Sequence, residues 1–231
     1  MKVEVKYAPK NLLEVIYPNV AVEQRIAAYA QGYLDGHIIL WGPNGTGKST
    51  VTRLLPDSIE NGNAVIETKD YDDLLGRKDL KDYLRRTANA TSNQTESSRF
   101  YLTFEEFDNA KVNRHKLWTA MDACQDELMV IITTNHPFDI PKSVRDRCDL
   151  IEFGALKAHQ VLPRAKFILA QEGLNLPEKD VLFYLQQVEH RGSLRAYMRK
   201  LNDLLALSKM GNPLPPVPST VSATPPVLSV V

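Results

Sequence analysis

The sequence predicts an α/β protein: a parallel five-stranded sheet sandwiched by helices, followed by a small all-helical region. Three observations lead there. Five short apolar runs are separated by helix-compatible stretches, an alternation that builds a parallel sheet through right-handed crossovers. A glycine-rich loop joins the first apolar run to a helical pattern. After Phe153 the strand signals stop, and only helical patterns follow.

The strands are expected at His37–Trp41, Ala64–Glu67, Phe100–Phe104, Met129–Thr134 and Leu150–Phe153. Most lack in/out alternation, as strands covered on both faces do. Helices are expected at Asp79–Ala90, with Leu80, Tyr83, Leu84 and Thr87 at helical spacing, and at Asn113–Cys124, with Leu117, Trp118, Met121 and Cys124. Ala158–Gln171, Glu178–Glu189 and Ser193–Lys209 read as three more, punctuated by Gly173 and Gly192, with Pro177 opening the second. The expected division is a nucleotide-binding α/β domain at 1–155, a helical domain at 156–209 and a disordered Pro-rich tail at 210–231. No internal repeat is visible.

Composition narrows the function. At 231 residues the chain holds one sizeable domain, or one and a half, with a substantial core. Lys+Arg and Asp+Glu both number 28, so no global field drives the chain onto nucleic acid or membrane; any nucleic-acid surface is a local patch. Two cysteines, Cys124 and Cys148, suit a reducing compartment. The N-terminus alternates charge without an apolar signal core, and no stretch approaches a membrane span, so a cytoplasmic location is expected.

The chemistry concentrates in Gly42-Pro43-Asn44-Gly45-Thr46-Gly47-Lys48-Ser49, preceded by a strand and followed by Thr50 and a helix. This is a Walker A pattern in its required context. Glycines let successive N–H groups converge on one anion, and the helix presents its positive end. Lys48 supplies a point charge for the β/γ-phosphates, and Ser49 a hydroxyl for Mg²⁺. The residues therefore point to ATP or another nucleoside triphosphate, held with Mg²⁺.

The third strand ends in Glu105-Glu106. Two acids there read either as a solvated turn or as a Walker B pair, with Glu105 on the metal side and Glu106 activating water. The fourth ends in Asn135-His136-Pro137, where Asn135 either contacts a γ-phosphate and lytic water or only starts the turn. Arg145 and Arg147 read either as an exposed basic turn paired with Asp146 or Asp149, or as an arginine supplied to a neighbour's γ-phosphate. Gly192-Ser193-Leu194-Arg195 opens the last helix. Arg195 can reach a phosphate from there, or share a solvated face with Arg191 and Arg199.

In this order the motifs resemble an AAA+ ATPase, and within that superfamily the small subunits of sliding-clamp loaders of the replication factor C and bacteriophage type. The similarity spans roughly residues 5–205 and rests on Tyr7-Ala8-Pro9-Lys10, Leu12 to Ile16, Thr133 to Pro137, Asp146-Arg147-Cys148 and Gly192 to Arg195, besides the loop. It implies a central P-loop strand and a helical lid. It also implies Tyr7, Val15 and Ile16 beside the adenine, Asn135 and Arg195 sensing the γ-phosphate, and Arg147 reaching the neighbouring subunit's ATP. Three departures stand out: Ala8 for the family's arginine, Glu105 for its aspartate, and a Pro-rich tail where the family carries a helical collar domain.

The resemblance also implies a homo-oligomer, or assembly with related AAA+ subunits through shared ATP sites. It implies DNA along Arg77, Lys78, Lys81, Arg85 and Arg86, with acids at 72, 73, 79 and 82 interleaved. The segment Asn89–Ser98 is expected to be a flexible loop and a possible DNA contact. The leading function is an ATP-hydrolysing, DNA-associated motor or switch in replication or mobile-element biology. The alternative is an adaptor that uses ATP as assembly glue and recruits a protein through its tail. A protein-remodelling role would want an aromatic pore loop, for which Tyr71 among acids is the sole candidate.

Overall fold

A computed structural model of the chain describes residues 2–69, 79–107, 115–124 and 126–217, with the side chains of His115 and Lys116 excepted. The strands are β1 (His37–Trp41), β2 (Val65–Lys69), β3 (Phe100–Phe104), β4 (Leu128–Thr134) and β5 (Cys148–Glu152). They form one parallel sheet in the order β2-β3-β4-β1-β5. Parallel pairing gathers every carboxyl end on one edge, where the glycine loop and both acids emerge. The P-loop strand β1 lies inside the sheet between β4 and β5, in keeping with the central place the resemblance implied.

Burial explains which strands the apolar pattern marks. β1, β3 and β4 are almost wholly buried, and β1 and β3 have the expected bounds. The edge strands β2 and β5 are half-exposed, and their pairing takes in Thr68 and Lys69, or Cys148 and Asp149, which an apolar run does not flag. Both are displaced by one or two residues from expectation.

The sheet's pleat sorts its side chains to two faces. Val130 and Ile132 join Leu102 and Phe104 beneath α4 (Leu80–Gln94) and α5 (His115–Ala123). Met129 and Ile131 join Ile38, Leu40 and Tyr101 beneath α2 (Val20–Ala30) and α3 (Lys48–Ile59). α2 is a helix the sequence reading did not place. Asn19 caps it through Val22 N–H at 2.9 Å, and Val22, Ile26 and Tyr29 form its buried stripe.

α4 corrects the expected loop at Asn89–Ser98, because the helix continues to Gln94. Leu84, Ala88 and Thr91 keep one stripe buried. Thr87, Ser92 and Asn93 donate to carbonyls four residues back, so the polar side chains bond the helix instead of breaking it. Lys81, Arg85 and Arg86 are exposed on α4, whereas Tyr71, Asp72, Asp73, Arg77 and Lys78 lie outside the described residues.

Beyond β5, α6 (Lys142–Arg145) having preceded it, come α7 (Ala158–Gln171), α8 (Glu178–Gln186) and α9 (Leu194–Lys209). Ile168, Leu185 and Tyr197 share their core. The N-terminal helix α1 (Val3–Lys6) packs there too, its Val3 N–H donating to Asn202 Oδ1 at 3.1 Å. The first part of the expected tail is in contact with α8: the Tyr184 hydroxyl donates to the Pro215 carbonyl at 2.6 Å. Residues 218–231 of that tail lie outside the described residues. Among the described residues no helix is long and apolar enough to cross a membrane.

Candidate functional site

β1 delivers the chain to Gly42, whose N–H donates to the Thr134 carbonyl at the end of β4, 3.2 Å away. Gly42 has φ of 136°, and a Cβ there would sit 2.2 Å from the Phe153 carbonyl oxygen. Gly45 has φ of 76°, and its carbonyl accepts from Leu194 N–H at 2.8 Å. Both positions demand glycine. The loop is thus braced by β4 on one side and by the start of α9 on the other.

Gly47 caps α3 in the left-handed region, so Lys48 and Ser49 form its first turn. A backbone concavity with three positive-φ glycines, opening a twelve-residue helix, fits a phosphate chain. Lys48 is mostly buried, and its ammonium donates to the carbonyls of Gly42 (2.6 Å) and Pro43 (2.8 Å) and to Asn135 Oδ1 (3.0 Å). The expected charge and the expected β4 amide therefore meet. Thr46 is buried and donates to the Pro43 carbonyl at 3.0 Å, while Pro43, Asn44 and Ser49 are exposed.

Glu105 and Glu106 follow β3 directly and are exposed on the same edge. Glu106 has φ of 52°, a conformation costing on the order of 1–3 kcal/mol for a non-glycine residue. Its N–H donates to Thr133 Oγ1 at 3.2 Å, and buried Phe107 packs on Phe104, ring centroids 5.7 Å apart. The turn is held from β4 and from below. Asp108 lies outside the described residues.

Tyr7, Val15 and Ile16 line one cavity with Gly47, Thr50, Arg164 and Leu194. The three residues expected beside the base are therefore gathered against the loop that would hold the phosphates. Arg195, exposed at the start of α9, has its Cβ 3.5 Å from the Cβ position of Gly45, so its backbone abuts the loop.

Arg147 is placed differently from a side chain projecting freely. Its Nε and Nη2 donate to the two oxygens of Asp122 at 2.5 and 2.7 Å, and Nη1 to the Ser143 carbonyl at 2.6 Å. The guanidinium also lies 4.8 Å from the Trp118 ring centre. The bidentate pair holds Asp122 below the usual carboxylate range and raises Arg147. Sequence reasoning offered Asp146 or Asp149 as partners. Asp149 instead receives Arg25 Nε and, at 3.1 Å, the Tyr29 hydroxyl.

Two site features had no local signal. Thr133, which fixes Glu106, is a small polar residue inside an apolar strand. Arg164 of α7, which lines the base cavity, binds the Tyr7 carbonyl at 3.1 Å and Glu14 at 3.2 Å across some 150 residues of sequence.

Comparison with known proteins agrees with this geometry. The family model "ATPase family associated with various cellular activities (AAA)" matches residues 38–155, just over half of the chain. A replication factor C large subunit of Thermococcus kodakarensis is 27% identical over 207 residues, covering 87% of this chain and 40% of that protein. The sliding-clamp-loader large subunit of Escherichia phage RB69 is 34% identical over 155 residues, 65% of this chain and 46% of its own. The chain thus spans less than half the length of these relatives. A solved structure of a Thermotoga maritima RuvB mutant matches with TM-score 0.67 at 17% identity, covering 88% of this chain and 68% of that one; it shares the fold.

Proposed function

The chain belongs to the AAA family of ATPases and is related to clamp-loader subunits of DNA replication, and from that premise we propose that it binds and hydrolyses MgATP as an assembled, DNA-associated switch. We read residues 1–155 as its nucleotide-binding domain, 156–209 as a lid and 210–231 as a tail. One observation carries the reading: Lys48, the Asn135 amide and the cavity of Tyr7, Val15 and Ile16 converge on a single glycine loop.

In this reading residues 42–50 cradle the triphosphate, and Lys48 exchanges two loop carbonyls for phosphate oxygens. Ser49 and Glu105 would hold Mg²⁺, which when bound would supply positive charge beside the phosphoryl group. A Glu106 carboxylate oxygen accepts the proton of the attacking water, which Asn135 orients. Arg195 contacts the γ-phosphate from α9, and Arg147 does so from an adjoining subunit, either a second copy or a related AAA+ protein. Lys81, Arg85 and Arg86 on α4 offer the cationic face for DNA phosphates.

A second reading has one observation in its favour. The Arg147–Asp122 pair engages the guanidinium within its own chain, which suits a protein that uses ATP as assembly glue and seldom hydrolyses it. Turnover separates the two. ATP binding, ATPase rate and assembly mass are measured with and without duplex DNA for wild type and Lys48→Ala. The switch gives DNA-stimulated turnover that Lys48→Ala abolishes together with nucleotide binding. Near-wild-type ATP affinity in a folded Lys48→Ala protein would remove the basis of both readings.

A further inference from the structure

Glu172 caps the C-terminus of α7. Its side chain is 12% exposed and collects three donors: Lys6 Nζ at 2.5 Å, Lys209 Nζ at 2.8 Å and the Tyr7 hydroxyl at 3.0 Å. The ordinary reading of two solvent-facing lysines on one carboxylate is a surface network worth little. The third donor changes its meaning, because Tyr7 lines the cavity beside Val15, Ile16 and Thr50.

Tyr7 is tied to α7 at three points. Glu172 takes its hydroxyl, Arg164 holds its carbonyl at 3.1 Å, and Phe167 meets its ring edge-on at 6.3 Å between centroids. The outer wall of the cavity is therefore carried by a helix of the C-terminal part, while Gly47 and Thr50 on the inner wall belong to the loop and α3. The cavity between them measures about 30 Å³, room for a water or two. The clamp ties Tyr7 to α7, so this wall of the cavity is set by the helix and not by Tyr7 alone. Hydrogen bonds from Lys209, Lys6 and Tyr7 press the Glu172 carboxyl down to about 2, so the clamp is ionised throughout the working pH range.

We propose that Glu172 is a positioning residue for nucleobase recognition: by fixing the Tyr7 phenol it sets the wall against which the base of a nucleoside triphosphate is held. This rests on the reading of Tyr7, Val15 and Ile16 as the base side of the site. A base-specific role differs from a general one in which part of the ligand feels it. Inorganic tripolyphosphate engages the loop alone; ATP engages loop and wall.

Dissociation constants for MgATP and magnesium tripolyphosphate are measured by calorimetry on the full chain for wild type, Glu172→Gln and Tyr7→Phe, with a melting curve for each. Tyr7→Phe removes a single hydroxyl and guards against a Glu172 variant that fails to fold. The expected result is a loss of about 3- to 10-fold in ATP affinity in both variants, the scale of one charge-assisted hydrogen bond acting at second hand. Tripolyphosphate affinity stays unchanged. Equal losses for both ligands, or no loss for ATP, overturn the proposal while leaving the base site standing. Wild-type protein that binds ATP no more tightly than tripolyphosphate removes the base site itself, and the proposal with it.

Discussion

His37 opens β1, at the end of the strand opposite the glycine loop. The ring is 6% exposed, and Nδ1 accepts the Val130 N–H at 3.0 Å, a task only the neutral ring performs. Burial is the main cause that pushes its pKa down from 6.5 to about 4; Asp35 and Asp122 pull upward, and Arg99 pushes down. In the unfolded chain the imidazole takes a proton near 6.5, whereas in the folded chain it does not until about 4. A depressed base favours the folded state above the unfolded value, and that stability is lost as pH falls from 6.5 to 4. The slope is about 1.4 kcal/mol per pH unit, or on the order of 3 kcal/mol over the window. That is a large share of a typical 5–15 kcal/mol. Glu60, Asp35, Asp122 and Glu172 are carboxyls lowered from ordinary values of 4.5 or 3.8, so their effect falls mostly below pH 5, where the measurements stop. Urea unfolding at pH 7.5, 6.5, 6.0, 5.5 and 5.0 is compared for wild type and His37→Asn, whose amide oxygen still accepts the Val130 N–H. Wild type should lose about 1 kcal/mol more than the variant between pH 6.0 and 5.0. Parallel curves would refute the argument that this imidazole is held neutral by burial.

Two further predictions concern catalysis. Glu106→Gln should bind ATP yet turn over at least about 100-fold more slowly, because an amide cannot accept the water's proton; if Glu105→Gln shows that phenotype and Glu106→Gln is active, the roles are exchanged. Arg147→Ala should retain ATP binding and lose on the order of 10³-fold in ATPase rate. Mixing it with Lys48→Ala should restore part of that rate, and verified mixed assemblies without rescue count against action between chains.

How much of this was legible depends on the range of the interaction. β1, β3 and α7 match expectation to the residue, because strands buried on both faces and a helix with a full apolar stripe write themselves into local hydrophobicity. The sequence pattern ends this helix at Ala90, because Asn, Thr and Ser score poorly in helices, although here they bond back to the helix itself. The glycine loop, Glu105, Glu106 and Asn135 were placed because each follows a strand whose end can be read. What was not legible joins distant stretches. Asp122 and Arg147 lie 25 residues apart, and Glu172 and Lys6 lie 166 apart. No periodicity links such pairs; the crossovers and the packing of α7–α9 bring them together.

The placement of Arg147 decides less against a role between chains than its number of partners suggests. Its side chain is 32% exposed and that of Asp122 46%, so water already competes for both groups. Exposed ion pairs are worth little, because Coulomb attraction is weak in high dielectric and two side chains must be held still. A polyphosphate at a subunit interface offers several negative charges in a site that assembly partly dries, and there the same guanidinium gains far more. The exchange of Asp122 for phosphate is therefore downhill once a neighbour brings its nucleotide within reach. Until then the pair keeps the arginine ordered and stacked on Trp118 at 4.8 Å, so less rotamer freedom remains to be lost when the interface forms. On this argument Asp122 is a parking place for the guanidinium, and Asp122→Asn should weaken neither ATP binding nor turnover. An ATPase rate that falls with Asp122→Asn as far as with Arg147→Ala would instead mean that the pair works as a unit in place.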